Sequence, residues 1–287
     1  MGELGIKEFI GGTVGGIAQV LSGQPFDIIK VRQATSVTPI NAMSAALTMV
    51  KQEGVLAFWR GSTAPLLGVG ACVSIQFGVL ENSKRLVQKS KGKSLETWDY
   101  IFCGAIAGMA NTIVSAPAEH FRIKMQVQGK VDPRGDPLYK SDGDCIKSIF
   151  KNHGIAGAYR GFWITLLREA VTFGSYFGAY EYIVNYHLIP KGGTKKDVEA
   201  WKLFCTGGFS GYFYWAPWYP IDAIKSKLQA DSFTNPRFNG FIDCAKKTLA
   251  SEGLAGFYKG FWPCMLRAFP VNATTFLAYE LTMRVIS

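Results

Sequence analysis

Charged side chains lodged inside apolar stretches are the residues of this chain best equipped for chemistry. Arg168 and Arg267 each sit in such a stretch, and Glu169 follows Arg168 directly. A guanidinium among apolar neighbours is costly unless it faces a cavity or a partner of opposite charge. Two guanidiniums suit a carboxylate through bidentate bonds, and a carboxylate suits an ammonium, so the three side chains together describe a grip for a small zwitterion. The plainer alternative is a structural ion pair in which Glu169 neutralises Arg168. Thr172 and Tyr176 stand at the turns after Arg168, and Cys72 and Gln76 at the same level of another apolar segment, a small mixed surface for reading a solute's tail.

A second constellation occurs three times. Asp27 and Lys30, Glu119 and Arg122, and Asp222 and Lys225 set an acid and a base three residues apart, each just after a proline: Pro25, Pro117 and Pro220. Within one helix such a pair contributes a few tenths of a kcal/mol. At equivalent places in three repeats, each acid could instead reach the base of the next repeat and close a ring. Were each pair open to water and worth at most about 1 kcal/mol, opening three would cost about 3 kcal/mol. A solute bound at millimolar to micromolar strength supplies about 4 to 8 kcal/mol, enough to couple the ring to binding.

The elements that must carry these groups follow from the repeat. Pro25 to Arg32, Pro117 to Lys124 and Pro220 to Lys227 are each followed by Glu53-Gly54, His153-Gly154 or Glu252-Gly253, then by Trp59-Arg60-Gly61, Tyr159-Arg160-Gly161 or Tyr258-Lys259-Gly260. Seven residues beyond the last glycine of each triplet stand Gly68, Arg168 and Arg267, which are therefore repeat-related. Apolar segments flank every unit, near residues 7–35, 62–89, 98–128, 162–188, 198–230 and 261–286. Each exceeds the roughly 20 residues that span a bilayer. Polar residues such as Gln19, Asn111 and Tyr176 interrupt them, which favours a bundle around a wet cavity over single anchors. Gly11/Gly15, Gly12/Gly16, Gly104/Gly108 and Gly207/Gly211 have the spacing that lets membrane helices approach closely. Residues 42–52, 145–152 and 241–251 have helical periodicity with polar faces and predict short surface helices.

Composition removes other classes. The chain is 48% apolar and 18% charged, and its net charge of +10 is spread over polar stretches rather than gathered with aromatics, so no nucleic-acid partner is expected. The six cysteines form no C-x-x-C and have no histidine at ligand spacing, so no metal site or disulfide framework is expected. No nucleophile triad, phosphate loop or metal cluster suggests an enzyme. Met1 to Glu8 is too short for a cleavable signal, so targeting is expected to be internal.

These motifs resemble the mitochondrial carrier family, whose signature is P-x-[DE]-x-x-[KR]-x-[KR], a spacer, and [DE]-G-x4-[WYF]-[KR]-G, three times over. The resemblance covers essentially the whole chain, with His153 the one departure inside the signature. It implies an all-α membrane protein of six transmembrane helices in three pseudo-threefold repeats, at 1–96, 97–197 and 198–287, with the short surface helices on the matrix side. It also implies a multi-pass transporter of the mitochondrial inner membrane working by alternating access. In that family the acid–base ring closes the matrix side and a glutamine braces it. Gln126 and Gln229 match, whereas the first-repeat glutamine is one residue early, at Gln33. The opposite, cytoplasmic gate is eroded: Glu81 keeps Lys84, but Glu181 and Glu280 meet Val184 and Met283 where bases belong.

The Arg168-Glu169 pair and the Leu266 to Ala273 segment are similar to the carnitine/acylcarnitine and ornithine-type carriers. Cys72 stands where ornithine-type carriers place an acid, which leaves carnitine-like or neutral amino-acid substrates ahead. The resemblance further implies cardiolipin at the helix starts after Gly61, Gly161 and Gly260, with no other cofactor. The alternative reading is a carrier-fold structural subunit of a larger inner-membrane complex.

Overall fold

A computed structural model describes residues 3–36, 40–128, 139–190, 193 and 197–286; the side chains of residues 3–9, 200, 204, 269, 276 and 280 lie outside the described set. Among the described residues the chain is helical and has no strand. The predicted long segments become α1 (Glu3–Thr35), α3 (Thr63–Lys91), α4 (Thr97–Val127), α6 (Phe162–Ile183), α7 (Ala200–Trp215) with α8 (Tyr219–Ala230), and α10 (Phe261–Ile286). The surface helices are α2 (Ala42–Glu53), α5 (Asp142–Ala158) and α9 (Phe241–Glu252).

Pro25 and Pro117 lie inside continuous helices, whereas the third repeat's long segment is not one helix. A turn at 216–218 separates α7 from α8. Pro217 accounts for the break: with Pro220 it removes a second backbone donor within one turn and adds a second ring clash with the preceding carbonyls. Trp218 fixes the turn by donating its indole N–H to Ser175 Oγ at 2.7 Å.

The surface helices begin and end on local chemistry. Asn41 accepts the Met43 amide at the start of α2, and Ser141 Oγ accepts the Asp144 amide at the start of α5. Gly54, Gly154 and Gly253 then turn the chain at φ of +86°, +62° and +64°, a region that residues with a Cβ avoid. In the second repeat α5 carries on past Gly154 as a kink.

Polarity is distributed inside out. Ile10, Val14, Ile17 and Leu21 form an exposed apolar stripe on α1, and Trp262, Leu266, Leu277, Leu281 and Val285 are exposed on α10. Asp27, Lys30, Asn111, Arg168, Glu169 and Thr172 are buried. Water would penalise both halves of that arrangement, while a bilayer favours it. Val55–Lys91 and Thr97–Val127 are long and apolar enough to cross a membrane on hydropathy alone.

The chain divides into two compact units. One comprises Met1–Gly70, Val114–Phe162 and Pro220–Ser287; the other comprises Ala71–Ile113 and Trp163–Tyr219. In the first, α1 and α10 pack along their lengths through small residues. A Cβ at Gly11 would come within 3.0 Å of Tyr279 and Met283, and one at Gly15 within 3.3 Å of the Thr275 carbonyl. Ile28, Met49 and Ala57 form one core of this unit; Phe121, Met125, Cys145, Ile149 and Ala158 form another. In the second unit Leu80, Cys103 and Ala107 form the core. There α4 meets α6 closely enough that a Cβ at Gly104 would lie 2.8 Å from the Phe173 carbonyl oxygen.

Candidate functional site

The first unit holds the ring that the sequence spacing predicts. Asp27 Oδ2 accepts from Arg122 Nη2 at 2.5 Å, Asp222 Oδ2 pairs with Lys30 Nζ at 2.6 Å, and Glu119 pairs with Lys225. Every acid is therefore bound to the base of another repeat, in one cyclic sense. The reason is local: each proline-bearing helix stretch presents acid and base a turn apart, and burial leaves each charge little choice but the neighbouring repeat. The side chains of Lys30, Asp222, Asp27 and Lys225 are each under a tenth exposed. The pairs are thus better shielded than the open ones assumed from sequence, and breaking them costs more than the surface-pair figure of about 1 kcal/mol each.

A second layer ties the ring to the surface helices. Glu53 accepts from both Arg32 and Arg60 at 2.5 Å, and Glu252 from Lys227 at 2.7 Å and Lys259 at 2.9 Å. The acid of the glycine dipeptide thereby clamps the second base of its own octet to the base of its own triplet. Gln24, which the sequence reading overlooked, accepts from Arg122 and donates to the Arg60 carbonyl at 2.6 Å. Its only sequence signal is a polar residue next to Pro25 in an apolar stretch. Gln229 donates to the Arg160 carbonyl at 3.3 Å, and Gln126 is buried with its own carbonyl accepting from Arg32 Nε at 3.0 Å. Gln33, one residue early, donates instead to the Ile40 carbonyl at 2.7 Å.

Arg267 belongs to the same cluster. Its Nη1 lies 3.1 Å from Asp27 Oδ1, and its side chain crosses α1 where Gly23 leaves room: a Cβ there would meet Arg267 Nε at 2.9 Å. Asp27 therefore uses one oxygen for the ring base Arg122 and the other for Arg267.

In the second unit Arg168 is 2% exposed, pairs with Glu169 and donates from Nη1 to Tyr214 Oη at 3.3 Å. The close α4 to α6 approach recurs here, since a Cβ at Gly108 would stand 2.5 Å from the Glu169 carbonyl oxygen. Thr172 is buried and returns its hydroxyl to the Arg168 carbonyl at 2.7 Å. Tyr176 stacks edge-on to Tyr214 with centroids 6.5 Å apart. Tyr214 was missed from sequence, although it stands six residues before Pro220, as Gln19 and Asn111 do before Pro25 and Pro117. Cys72 and Gln76 lie one turn apart on α3, both half-buried.

The other expected gate is sparse. Glu81 and Lys84 pair at 2.8 Å within their own helix, and Lys84 Nζ sits 5.6 Å from the Tyr100 ring centroid. Glu181 is buried; the side chain of Glu280 lies outside the described residues. The helix start after Gly61, where lipid phosphate is expected, is engaged by the chain itself. Asp142 accepts from the Gly61 amide at 3.2 Å and the Thr63 amide at 2.9 Å. A cavity of about 360 Å³ beside it is lined by Trp59, Arg60, Met125, Tyr139 and Lys140 among others. On the surface helices, burial pushes the Cys145 thiol up to about 12 and the Cys244 thiol up to about 11.

The model of the family described as mitochondrial carrier protein matches residues 5–91, 93–189 and 196–287, one match per repeat. The chain belongs to the mitochondrial carrier family. It is 41% identical to a mitochondrial glycine transporter of Saccharomyces cerevisiae, over 98% of this chain and 92% of that one. It is 42% identical to a glutamate/glycine mitochondrial carrier of Schizosaccharomyces pombe, over 96% and 92%. To a mitochondrial carnitine/acylcarnitine carrier of Mus musculus the identity is 32%, over 98% and 94%. As a mitochondrial carrier the chain is a multi-pass inner-membrane transporter of small molecules, not an enzyme. The cyclic ring joins the three carrier repeats at one level.

Proposed function

We propose that this carrier exchanges a small zwitterionic amino acid, of the size of glycine, and that the shared carboxylate of Asp27 couples binding to the gate. The observation that carries the reading is Asp27 bound to Arg267 at 3.1 Å and to Arg122 at 2.5 Å. Each unit carries one exchangeable ion pair: Asp27 with Arg267 in the first, Glu169 with Arg168 in the second. In the first unit a solute carboxylate can take Arg267 from Asp27; in the second an ammonium can take Glu169 from Arg168. Losing Arg267 leaves Asp27 with Arg122 alone, so occupation of the site loosens the ring that must open next. An interaction that is exchanged rather than lost also keeps the charges paired throughout, which a buried site requires.

Two features favour a small solute. Tyr214 accepts from Arg168 and has Tyr176 edge-on against it, an aromatic neighbourhood that we read as favouring a small solute. Relatives near 40% identity are named for glycine or glutamate and glycine, while the carnitine/acylcarnitine carrier is more distant. Cys72 and Gln76 complete the set of side chains we assign to tail discrimination. The helix starts after Gly61, Gly161 and Gly260 are the proposed seats for an anionic lipid phosphate such as that of cardiolipin; at Gly61 the phosphate would have to displace Asp142.

The test is exchange in proteoliposomes loaded with unlabelled glycine and offered labelled glycine, glutamate or carnitine. Counter-exchange of glycine, abolished by Arg267→Ala in a protein that still unfolds cooperatively, is the expected result. Carnitine exchange without glycine exchange would replace the substrate; full glycine exchange by Arg267→Ala would remove the site.

A further inference from the structure

The second repeat lacks the acid that clamps its two bases in the first and third. His153 stands where Glu53 and Glu252 do, yet Lys124 and Arg160 are as buried and as cationic as their counterparts. Their partner comes from the next repeat, in the segment that follows α8. The Asp231 carbonyl accepts from Lys124 Nζ at 2.8 Å and Arg160 Nη1 at 3.1 Å, Asp231 Oδ2 accepts from Arg160 Nη2 at 3.2 Å, and the Ser232 carbonyl accepts from Arg160 Nη1 at 2.9 Å. Phe233 sits against the same two cations, with Lys124 Nζ 4.6 Å and Arg160 Cζ 4.9 Å from its ring centroid. His153 stacks on that ring at 4.0 Å with an interplanar angle of 12°.

The segment is built to hold this position. Asp231 also accepts from the Arg237 amide at 3.0 Å and the Phe238 amide at 3.2 Å, which folds 231–238 into a closed loop with Phe233 on it. The ring face is a region of negative potential that attracts both cations, while the Asp231 carboxylate pairs with Arg160 and the neutral Asp231 carbonyl accepts from both Lys124 and Arg160. In the first and third repeats the corresponding clamps, Arg32 with Glu53 and Lys227 with Glu252, stay within a repeat. Here the clamp crosses from the second repeat to the third, the same two repeats that Glu119 and Lys225 join.

We propose that Phe233, seated by Asp231, is a positioning residue that replaces the missing carboxylate and latches the second repeat to the third whenever the ring is closed. Opening the Glu119–Lys225 pair then requires lifting Phe233 off Lys124 and Arg160. Closing it requires their return to the ring, so the latch sets how readily the ring re-forms. It makes no contact with the transported solute.

The experiment compares the wild type with Phe233→Leu, Phe233→Trp and the double variant Phe233→Leu/His153→Glu in glycine-loaded proteoliposomes with labelled glycine outside. Phe233→Leu lowers the maximal exchange rate about five- to tenfold and leaves the KM for glycine unchanged, as expected for two lost cation–ring contacts. Phe233→Trp keeps the rate within about twofold, since indole is the better cation partner. His153→Glu in the leucine background restores the rate, because it gives Lys124 and Arg160 an acid in their own repeat. A residue that merely fills space would not be rescued by a carboxylate at 153. Wild-type rates in Phe233→Leu, or a double variant as slow as the single one, overturn the proposal. Should Phe233→Leu not survive purification, recovery of the double variant is the same rescue read as folded yield, and loss of both counts against the latch. The latch rests on the glycine reading only through the probe. If the wild type does not exchange glycine, that reading fails, and the latch is decided by whether His153→Glu restores the thermal unfolding midpoint that Phe233→Leu lowers.

Discussion

Replacing Asp27 by Asn isolates the coupling between the central arginine and the gate. The substitution keeps shape and some hydrogen bonding but withdraws the charge that holds both Arg122 and Arg267. Breaking one member out of a fully buried ion pair costs about 3–5 kcal/mol, and an exposed pair is worth at most about 1 kcal/mol. Asp27 is 8% exposed but the two arginine side chains are each 19% exposed, so water reaches their far sides. The loss should fall between these limits, at about 2–3 kcal/mol. At roughly 2–4 °C per kcal/mol for a chain of a few hundred residues, the unfolding midpoint in detergent falls by about 4–12 °C. Arg267→Ala removes one of the two partners and leaves the other, so it costs about 1 kcal/mol, and the double variant costs no more than Asp27→Asn alone. Millimolar glycine should raise the midpoint of the wild type and not that of Arg267→Ala, as ligand linkage requires. The assay is thermal unfolding of purified protein with a thiol-reactive or scattering readout, run beside glycine exchange. Additive losses, with a coupling below about 0.5 kcal/mol, would show that the Asp27 to Arg267 contact carries no energy and would refute the proposed link between binding and opening.

Other expectations follow from individual contacts. Lys225→Glu should abolish exchange by placing two acids together, and the swap Lys225→Glu/Glu119→Lys should recover at least part of it; a swap as dead as the single variant would mean the pair is not part of a ring. Gly108→Val should cost about 1–3 kcal/mol in stability, because its side chain would be forced onto the Glu169 carbonyl; an unchanged unfolding midpoint would show that α4 and α6 can move apart freely. Tyr214→Phe removes the hydroxyl that Arg168 donates to, and should raise the KM for glycine several-fold while leaving the unfolding free energy within about 1 kcal/mol of the wild type. Cys145 and Cys244 should resist maleimide in the native protein near pH 8 and react after denaturation in SDS. Their thiols are fully buried and titrate at about 12 and about 11, so the reactive thiolate is scarce at that pH; mass-spectrometric detection of native labelling at either would contradict the packing of α5 and α9.

What the sequence by itself determined is everything that a threefold period can encode. The positions of the long helices and the surface helices, and the identity of all six ring residues, could be read because spacing within a helix is a local property. Three copies also removed the ambiguity that one Asp27/Lys30 pair alone would leave. The charge of Arg168 and Arg267 in apolar stretches was likewise visible, since the cost of burying charge does not depend on where the partner lies.

Partner choice was decided by the tertiary structure alone. Nothing in the order of residues says that Asp27 serves both Arg122 and Arg267, that Gln24 bridges Arg122 to the Arg60 carbonyl, or that Asp142 occupies the Gly61 and Thr63 amides, because these contacts join residues far apart in the chain. The break at 216–218 was legible in principle from Pro217, yet two prolines near a helix end are compatible with either a kink or a stop until packing chooses. His153 reads as a defect in one repeat when taken in sequence. In three dimensions the cations it leaves behind are met by Phe233 and Asp231 from the following repeat, because a buried positive charge requires a partner but does not specify which part of the chain supplies it.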